Sequence, residues 1–448
     1  MTDLRDQLAA LGQEHVLQRL RGLSDADADA FLAPLQGLDL ATLHRIATSS
    51  EDSRSVPLGA EDVLPPDMVV AAPPSRATDS ATATDTGEAL LQEGRVGVLI
   101  VAGGMGTRLH WNHPKGTYPI GPVTSRSLFE LFFQSIATLG DIHGTIPPLA
   151  IQTSPSNDEA TRAYLAQHAY FGLPADHVRT FVQGTLPAWT RDGLLALDEN
   201  GNLVALPDGH GGVYKAFSRH GIGAWMRGLG VHHVFYFQVD NALVPIADPG
   251  FLAAHVVRSS QMSTMVVEKE DPEERVGVLA RVGDELRVIE YSEISADLAA
   301  TRTPEGPLLL RAANTGMHAF TLDFLEQMGG DDVLPLHTAF KPVLHGDTEV
   351  EGVKMERFVF DALHRASRAL VYQAPRADVF SAVKSAEGTD TPAAAREAMM
   401  AFYRRKVEEV GGSIPQEEGV ELSPRLLSDR AALRAAADAR EPGAPLVA

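Results

Sequence analysis

The 448-residue chain contains no cysteine, which excludes disulfides, thiolate metal sites and cysteine nucleophiles. Positive charge is also scarce. Lys and Arg number 38 against 59 Asp and Glu, for a net charge of −21, a balance that argues against a nucleic-acid binder. Any polyphosphate site must therefore be made by a few placed cations, backbone amides and a metal rather than by a general positive field. No stretch approaches the roughly eighteen uninterrupted apolar residues that a spanning helix needs. The N-terminus, with Asp3, Arg5 and Asp6, lacks the apolar core of a signal peptide, so the cytoplasm is the expected compartment, without a membrane partner. What is present is ordinary for a soluble globular protein: 44% hydrophobic and 22% charged residues. The length allows two or three domains.

One stretch organises the rest. Val96–Val101 is a short, β-branched apolar run that stops at Gly103, Gly104 and Gly106, which reads as a buried strand ending in a tight, open loop. Glycines allow close backbone approach and turned-in N–H groups, the geometry that phosphates need. Arg108 and Lys115 add positive charge. A tight connection with no ligand gives the same pattern, so the order of elements has to decide. The loop is not a Walker A motif, because Lys115 is followed by Gly116 rather than Ser or Thr. It is not a dinucleotide fingerprint either, because Pro114 and Pro119 block an immediate long helix.

Around this stretch, Leu4 to about Ala47 shows apolar residues at three- and four-residue steps, predicting short amphipathic helices with Ser24 as an N-cap. Residues 51–87, rich in Pro and then in Ser, Thr, Ala and Asp, read as an extended surface connection. Beyond the loop, helix patterns (127–139, 158–169, 213–229) alternate with strand patterns (149–153, 180–183, 233–239). That alternation predicts an α/β fold with a mixed, largely parallel central sheet and sites at the carboxyl ends of its strands. Strand-like segments are expected at 274–278 and 287–294, and helices at 393–410 and 428–440.

Leu99 to Lys115, with Gly103, Gly104, Gly106, Thr107, Arg108, Pro114 and Lys115, resembles the signature loop of UDP-sugar pyrophosphorylases, and most of all that of eukaryotic-type UDP-N-acetylhexosamine pyrophosphorylases. Upstream, Gly12-Gln-Glu-His15 and its leucine-rich helix also resemble that family. The resemblance implies a Rossmann-like nucleotidyltransferase domain at 91–385 with a sugar-binding insertion, preceded by a helical region and linker at 1–90 and followed by a shortened C-terminal region at 386–448. It further implies UTP and a sugar 1-phosphate as substrates, UDP-sugar and pyrophosphate as products, and Mg²⁺ as cofactor. Because the family's C-terminal domain is shortened here, its dimerisation does not carry over, and a monomer is compatible with the sequence.

The same resemblance assigns roles. Ala102, Gly103, Gly104, Gly106 and Thr107 hold the nucleotide with Arg108 and Lys115. Gln183, in Gln-Gly-Thr-Leu-Pro187, reads the uracil; by residue type alone it is an ordinary polar residue at a strand end. Gly211 and Gly212, in Pro207-Asp-Gly-His-Gly-Gly-Val-Tyr214, meet the nucleoside through free amides, although a plain loop-to-helix turn looks the same. Asp240, ending an apolar strand, is placed on the metal, with a helix cap as the bland alternative. Gly277, Glu290, Asn314, Phe358 and Phe360 fall where the family contacts the sugar, and Lys384 where a lysine meets the phosphates. Two letters depart from the family: His110 replaces a glycine, and Met317 replaces an asparagine near the sugar. A uridylyltransferase acting on N-acetylglucosamine 1-phosphate is the reading that results. A UDP-glucose or broad-specificity enzyme and a non-catalytic UDP-sugar sensor are the alternatives, the last disfavoured by the presence of both Lys115 and Asp240.

Overall fold

The short apolar runs of the sequence form a single path of eight hydrogen-bonded strands in a computed structural model that describes residues 4–49, 58–70, 77–330, 334–441 and 443–447. In chain order they are β1 (Met68–Val70), β2 (Val96–Val101), β3 (Leu149–Thr153), β4 (Val178–Val182), β5 (His233–Gln238), β6 (Met262–Glu268), β7 (Ala312–Thr321) and β8 (Ala369–Gln373). Their spatial order is β1-β8-β6-β7-β5-β2-β3-β4. All neighbours run parallel except β7, which opposes both β6 and β5. The central strands are buried on both faces, which is why they read as continuous apolar runs rather than alternating ones. The chain leaves β2 outward through β3 and β4, then returns to place β5 on β2's other side. The carboxyl ends of β2 and β5 therefore flank a topological switch point, where open α/β sheets bind ligands.

The chain divides into two units, and the division differs from the expected boundaries. One unit comprises Met1–Pro57, Gln183–Lys215 and Asp331–Asp361; the other comprises Leu58–Val182, Ala216–Gly330 and Ala362–Ala448. The N-terminal helices Leu4–Ala10, Glu14–Leu20, Asp25–Leu32 and Leu40–Thr48 form as expected, with Ser24 accepting from the Asp27 amide. They do not stand as a separate region, because Leu8, Val16, Leu35 and Leu40 share a core with Trp189, Leu195, Val353 and Met355. Gln13 clamps this core: its Nε2 donates to Gly193 O at 2.8 Å and its Oε1 accepts from Leu195 N at 2.8 Å. In the second unit, the segment after residue 386 is no separate region either. Tyr403, Val407, Val420, Leu433 and Leu446 pack in the same core as β2 and β5.

The expected surface connection at 51–87 needs correction over its second half. Residues 50–57 and 71–76 lie outside the described residues, but Ala77–Gln92 is a helix. Its Thr, Asp, Ser and Gly are weak helix formers, so tertiary packing, not propensity, accounts for the helix. A Cβ on Gly87 would come within 1.9 Å of Pro249 O, so glycine there allows the helix to lie against Pro249–Val257. The predicted helix at 213–229 is two, Val213–Arg219 and Ile222–Gly228, interrupted at Gly221 with φ +63°. The expected strands at 274–278 and 287–294 become the hairpin Val278–Val282 and Glu285–Ile289. Helices Leu128–His143, Asp158–Gln167 and Pro392–Glu409 match expectation to within a few residues.

Candidate active site

The loop after β2 is shaped by its carbonyls. Asn157 Nδ2 donates to Ala102 O at 2.9 Å and to Gly104 O at 3.3 Å, and the Lys115 amide also reaches Gly104 O at 3.1 Å. With those oxygens occupied, the N–H groups of Gly103 and Gly104 donate to no other group among the described residues. Amides left open in this way can receive an anionic group. Nothing lies within 4 Å of a Cβ position on Gly104, whereas one on Gly106 would meet Trp111 at 2.8 Å. The first glycine is thus open to a ligand, and the second is demanded by packing. Only the short turns Thr107–Leu109 and Lys115–Thr117 follow, as the prolines predicted. Thr107 and Arg108 are exposed. His110, the departure from the family glycine, sits in the left-handed region at φ +55° and ψ +34°.

Lys115 is buried, and its Nζ lies 3.5 Å from the carboxylate of Asp240, just beyond β5. Asn241 anchors the next layer: its Nδ2 donates to Val379 O at 2.8 Å, and its Oδ1 accepts from Ser381 N at 2.9 Å. The Val383 amide donates to Asp240 O at 2.8 Å, and the Ala386 amide to Arg108 O at 2.9 Å. These bonds bring Lys384 into the same neighbourhood as Arg108, Lys115 and Asp240. Burial pulls the Lys384 pKa down, but the hydrogen bond that its ammonium donates to Asp390 and the negative charges of Asp390, Asp240 and Glu274 outweigh it and hold the pKa above the usual lysine value.

Gly277, Glu290 and Asn314 also come together. The Asn314 amide donates to Gly277 O at 2.8 Å, and a Cβ on Gly277 would lie 2.8 Å from Glu290 Oε1. Asn314 stands at a bulge: β6 pairs Val266 with Asn314 and Met265 with Met317, so Thr315 and Gly316 are left over. Asn314 Oδ1 accepts from Gly316 N at 3.1 Å, which fixes the amide's orientation. Met317 is fully buried in the core, its sulfur 3.7 Å from Asn241 Nδ2. The thioether thus packs on the amide that anchors residues 379–381.

In the other unit, Gln183 is buried directly after the strand, and Gly184 and Gly212 both lie against Asp208, where a Cβ would meet its carboxylate at 2.5 and 2.2 Å. The expectation of free amides at Gly211 and Gly212 is not met. Gly211 N donates to Arg357 O at 2.8 Å and Gly212 N to Gly209 O at 3.0 Å. These glycines are required by close approach, of Gly211 to the Arg357–Phe358 backbone and of Gly212 to Asp208. Asp208 lies within the Pro207–Tyr214 motif, where the resemblance gives it no role. It is buried, its Oδ1 has no hydrogen-bond partner among the described residues, and burial pushes its pKa up to about 6 against the pull of Arg357 and Lys215. A buried carboxylate left unsatisfied and shifted this far is a candidate functional group.

Phe358 and Phe360 stand together, ring centroids 5.1 Å apart. Phe358 stacks on His210 at 5.2 Å and on His337 at 4.3 Å. His210 Nδ1 accepts from the Val359 amide at 3.0 Å, and His337 Nε2 donates to Asp361 Oδ2 at 2.8 Å. The two phenylalanines are thus part of a larger aromatic wall whose imidazoles the sequence did not announce.

The donor set for a cation is sparse. Among the described residues no group of three or more His, Asp and Glu side chains is arranged to hold a metal. Asp240, its side chain 23% exposed beyond the carboxyl end of the central strand β5, is a single carboxylate. That fits an ion such as Mg²⁺, which retains waters and is held by one or two carboxylates together with phosphate oxygens.

A glycine loop at the switch point of a mixed, largely parallel sheet, with Lys115, Asp240 and Lys384 gathered near it, places the chain among α/β proteins whose sites lie at the strand ends. Residues 50–393 match the UDPGP family, described as UTP–glucose-1-phosphate uridylyltransferase, and the chain belongs to that family. It is similar to UDP-N-acetylglucosamine diphosphorylase 1 of Arabidopsis thaliana, 35% identical across 94% of this chain and 88% of the relative. It is also similar to UDP-N-acetylglucosamine pyrophosphorylase of Saccharomyces cerevisiae, at 33% identity, covering 75% of this chain and 74% of that one. A crystal structure of the uridine diphosphate N-acetylglucosamine pyrophosphorylase from Trypanosoma brucei superposes with a TM-score of 0.82 at 25% identity, covering 96% of this chain and 93% of the other. Among the described residues no helix is long and apolar enough to cross a membrane.

Proposed function

We propose that the protein is a UTP:sugar-1-phosphate uridylyltransferase that joins UTP to N-acetylglucosamine 1-phosphate, releasing pyrophosphate. The observation that carries this is the convergence of Lys115, Asp240 and Lys384 beyond the carboxyl ends of β2 and β5, beside the open amides of Gly103 and Gly104. The reaction needs no protein nucleophile. A phosphate oxygen of the sugar 1-phosphate attacks the α-phosphorus of UTP in line, and the bond to the β-phosphate oxygen breaks. Catalysis is then positioning and charge neutralisation. The Gly103 and Gly104 amides with Arg108 and Lys115 hold the triphosphate and support the departing pyrophosphate, and Lys384 meets charge at the α-phosphate. Asp240 would hold Mg²⁺, which when bound neutralises phosphate charge.

Gln183 and the surroundings of Asp208 are assigned to the nucleoside, and Gly277, Glu290, Asn314, Phe358 and Phe360 to the sugar. The names of the plant, yeast and trypanosomal relatives support an N-acetylated sugar over glucose. The test is to follow pyrophosphate release from UTP and Mg²⁺ with a panel of N-acetylglucosamine, N-acetylgalactosamine, glucose and galactose 1-phosphates. Fastest turnover with N-acetylglucosamine 1-phosphate is expected. Preference for glucose 1-phosphate overturns the sugar assignment, and silence across the panel overturns the enzyme.

A further inference from the structure

The acidic groups around Lys384 are allocated among the neighbouring cations. Asp240 is engaged by Lys115 at 3.5 Å, and Glu274 takes two hydrogen bonds from Arg376, at 2.7 and 3.0 Å. The carboxylate left to Lys384 is Asp390, whose Oδ2 lies 2.9 Å from Nζ. Asp390 also closes the loop that bears the lysine: its carbonyl accepts from Lys384 N at 2.8 Å and from Ser385 N at 3.2 Å. The loop is held from outside as well, by Ala386 N on Arg108 O and Val383 N on Asp240 O. One residue further on, Thr391 caps Pro392–Glu409 by accepting from Ala394 N. Asp390 is therefore fixed at the root of a long helix, and it grips both the backbone and the tip of a side chain that has four rotatable bonds.

An isolated, partly exposed ion pair contributes little to stability, so a stability role does not explain this double grip. Orientation does. An ammonium has three N–H donors. Asp390 engages one direction, and the Lys384 side chain remains 41% exposed for the others. A cation aimed in advance costs no reorganisation when charge develops.

We propose that Asp390 is a positioning residue for nucleotidyl transfer, holding Lys384 Nζ in the orientation from which it meets a phosphate oxygen of the substrate. This rests on the reading that Lys384 faces the phosphates. The experiment measures kcat and the KM for UTP, with N-acetylglucosamine 1-phosphate as acceptor, for the full chain and for Asp390→Asn, Asp390→Glu, Lys384→Ala and the double variant Asp390→Asn/Lys384→Ala, with a melting curve for each. Asp390→Asn is expected to lower kcat about 10- to 100-fold, with a smaller change in KM, as for a misaimed catalytic group. Asp390→Glu should recover part of the loss.

In the Lys384→Ala background, Asp390→Asn should change kcat by less than about 2-fold, because a residue that acts through Lys384 has nothing left to aim. The proposal is overturned if Asp390→Asn keeps full kcat while Lys384→Ala is impaired, or if it multiplies the loss of Lys384→Ala by the factor seen in the wild-type background. Full kcat in Lys384→Ala overturns the reading of the lysine itself, and the proposal with it. Should Asp390→Asn not fold, Asp390→Glu alone, in the two backgrounds, makes the same comparison.

Discussion

Asp208 shows at the scale of one residue how a site can be stabilised less than its sequence permits. Its carboxyl titrates near 6 in the fold against a reference value of 3.8. Between those values the native state binds a proton that the unfolded chain has lost, so the group's contribution to stability is full below 3.8 and is lost as pH rises through 6. Above that pH the ionised carboxylate costs about 3 kcal/mol relative to a reference carboxyl, at about 1.4 kcal/mol per unit. Asp208→Asn removes the charge and keeps the shape, so it should raise the melting temperature at neutral pH by a few degrees. If Asp208 serves the nucleoside, the same variant weakens UTP. Melting curves and UTP titration on one preparation check both effects. His110 makes a smaller and opposite case. An exposed histidine at φ +55° adopts a conformation that glycine reaches without strain. His110→Gly should therefore leave stability within about 1 kcal/mol and turnover unchanged, unless the imidazole itself touches substrate. A loss of kcat with an unaltered melting curve would assign it such a contact.

At the scale of elements, the parts legible in the sequence were those whose local pattern and tertiary fate agree. Val96–Val101 and Leu149–Thr153 are apolar runs bounded by breakers, and both appear as strands with the bounds their patterns give. The stretch 77–87 reads as part of a linker because its Thr, Ser, Asp and Gly disfavour a helix, and the deciding fact, the seat of Gly87 against Pro249, lies far away in sequence. Gly211 and Gly212 stand where close packing requires glycine, and their amides are spent on Arg357 and Gly209. Motif spacing shows where glycine is needed, not whether a ligand or a neighbour needs it. The C-terminal segment hides another such long-range fact. Glu421, fully buried, accepts from the amides of Val123 and Thr124 at 2.7 and 2.8 Å and from the Thr124 hydroxyl, with Arg126 Nε 3.7 Å away. It braces the segment at Val123 and Thr124, beyond the glycine loop. Glu421→Ala leaves two amides and a guanidinium facing an apolar gap and should cost about 3–5 kcal/mol. Glu421→Gln, which keeps one acceptor oxygen, should cost less. Thermal unfolding of the two variants gives the order, and equal melting temperatures for both and the wild type would remove the brace.

Across the whole molecule, acid stability is a contest between groups of opposite sign. The net charge of −21 falls in magnitude as carboxylates protonate, which relieves self-repulsion, and Asp208 gains a proton favourably. Against these stand two histidines kept neutral by burial beneath the sheet. His233, the first residue of β5, is pushed down to about 4, and His255, in Pro249–Val257, to about 3, from a reference of 6.5. Their rings meet edge-on at 5.3 Å. His255 Nδ1 is paired with the Ser263 hydroxyl at 2.7 Å, while His255 Nε2 and His233 Nδ1 are buried with no hydrogen-bond partner among the described residues. A folded pKa below the unfolded one means that the unfolded chain takes up the proton first. The stability these groups allow is complete above 6.5 and is lost as pH falls toward 4 and then 3. At about 1.4 kcal/mol per unit and residue, the pair outweighs Asp208 near pH 4, and the protein should lose several kcal/mol on acidification from neutrality. His255→Gln, which keeps a polar group for Ser263 but cannot ionise, should remove about one proton from the slope of unfolding free energy against pH near pH 5. Denaturant unfolding of wild type and variant across that interval measures the slopes. Parallel slopes would mean that the buried imidazoles do not set the acid limit, and that the carboxylates do.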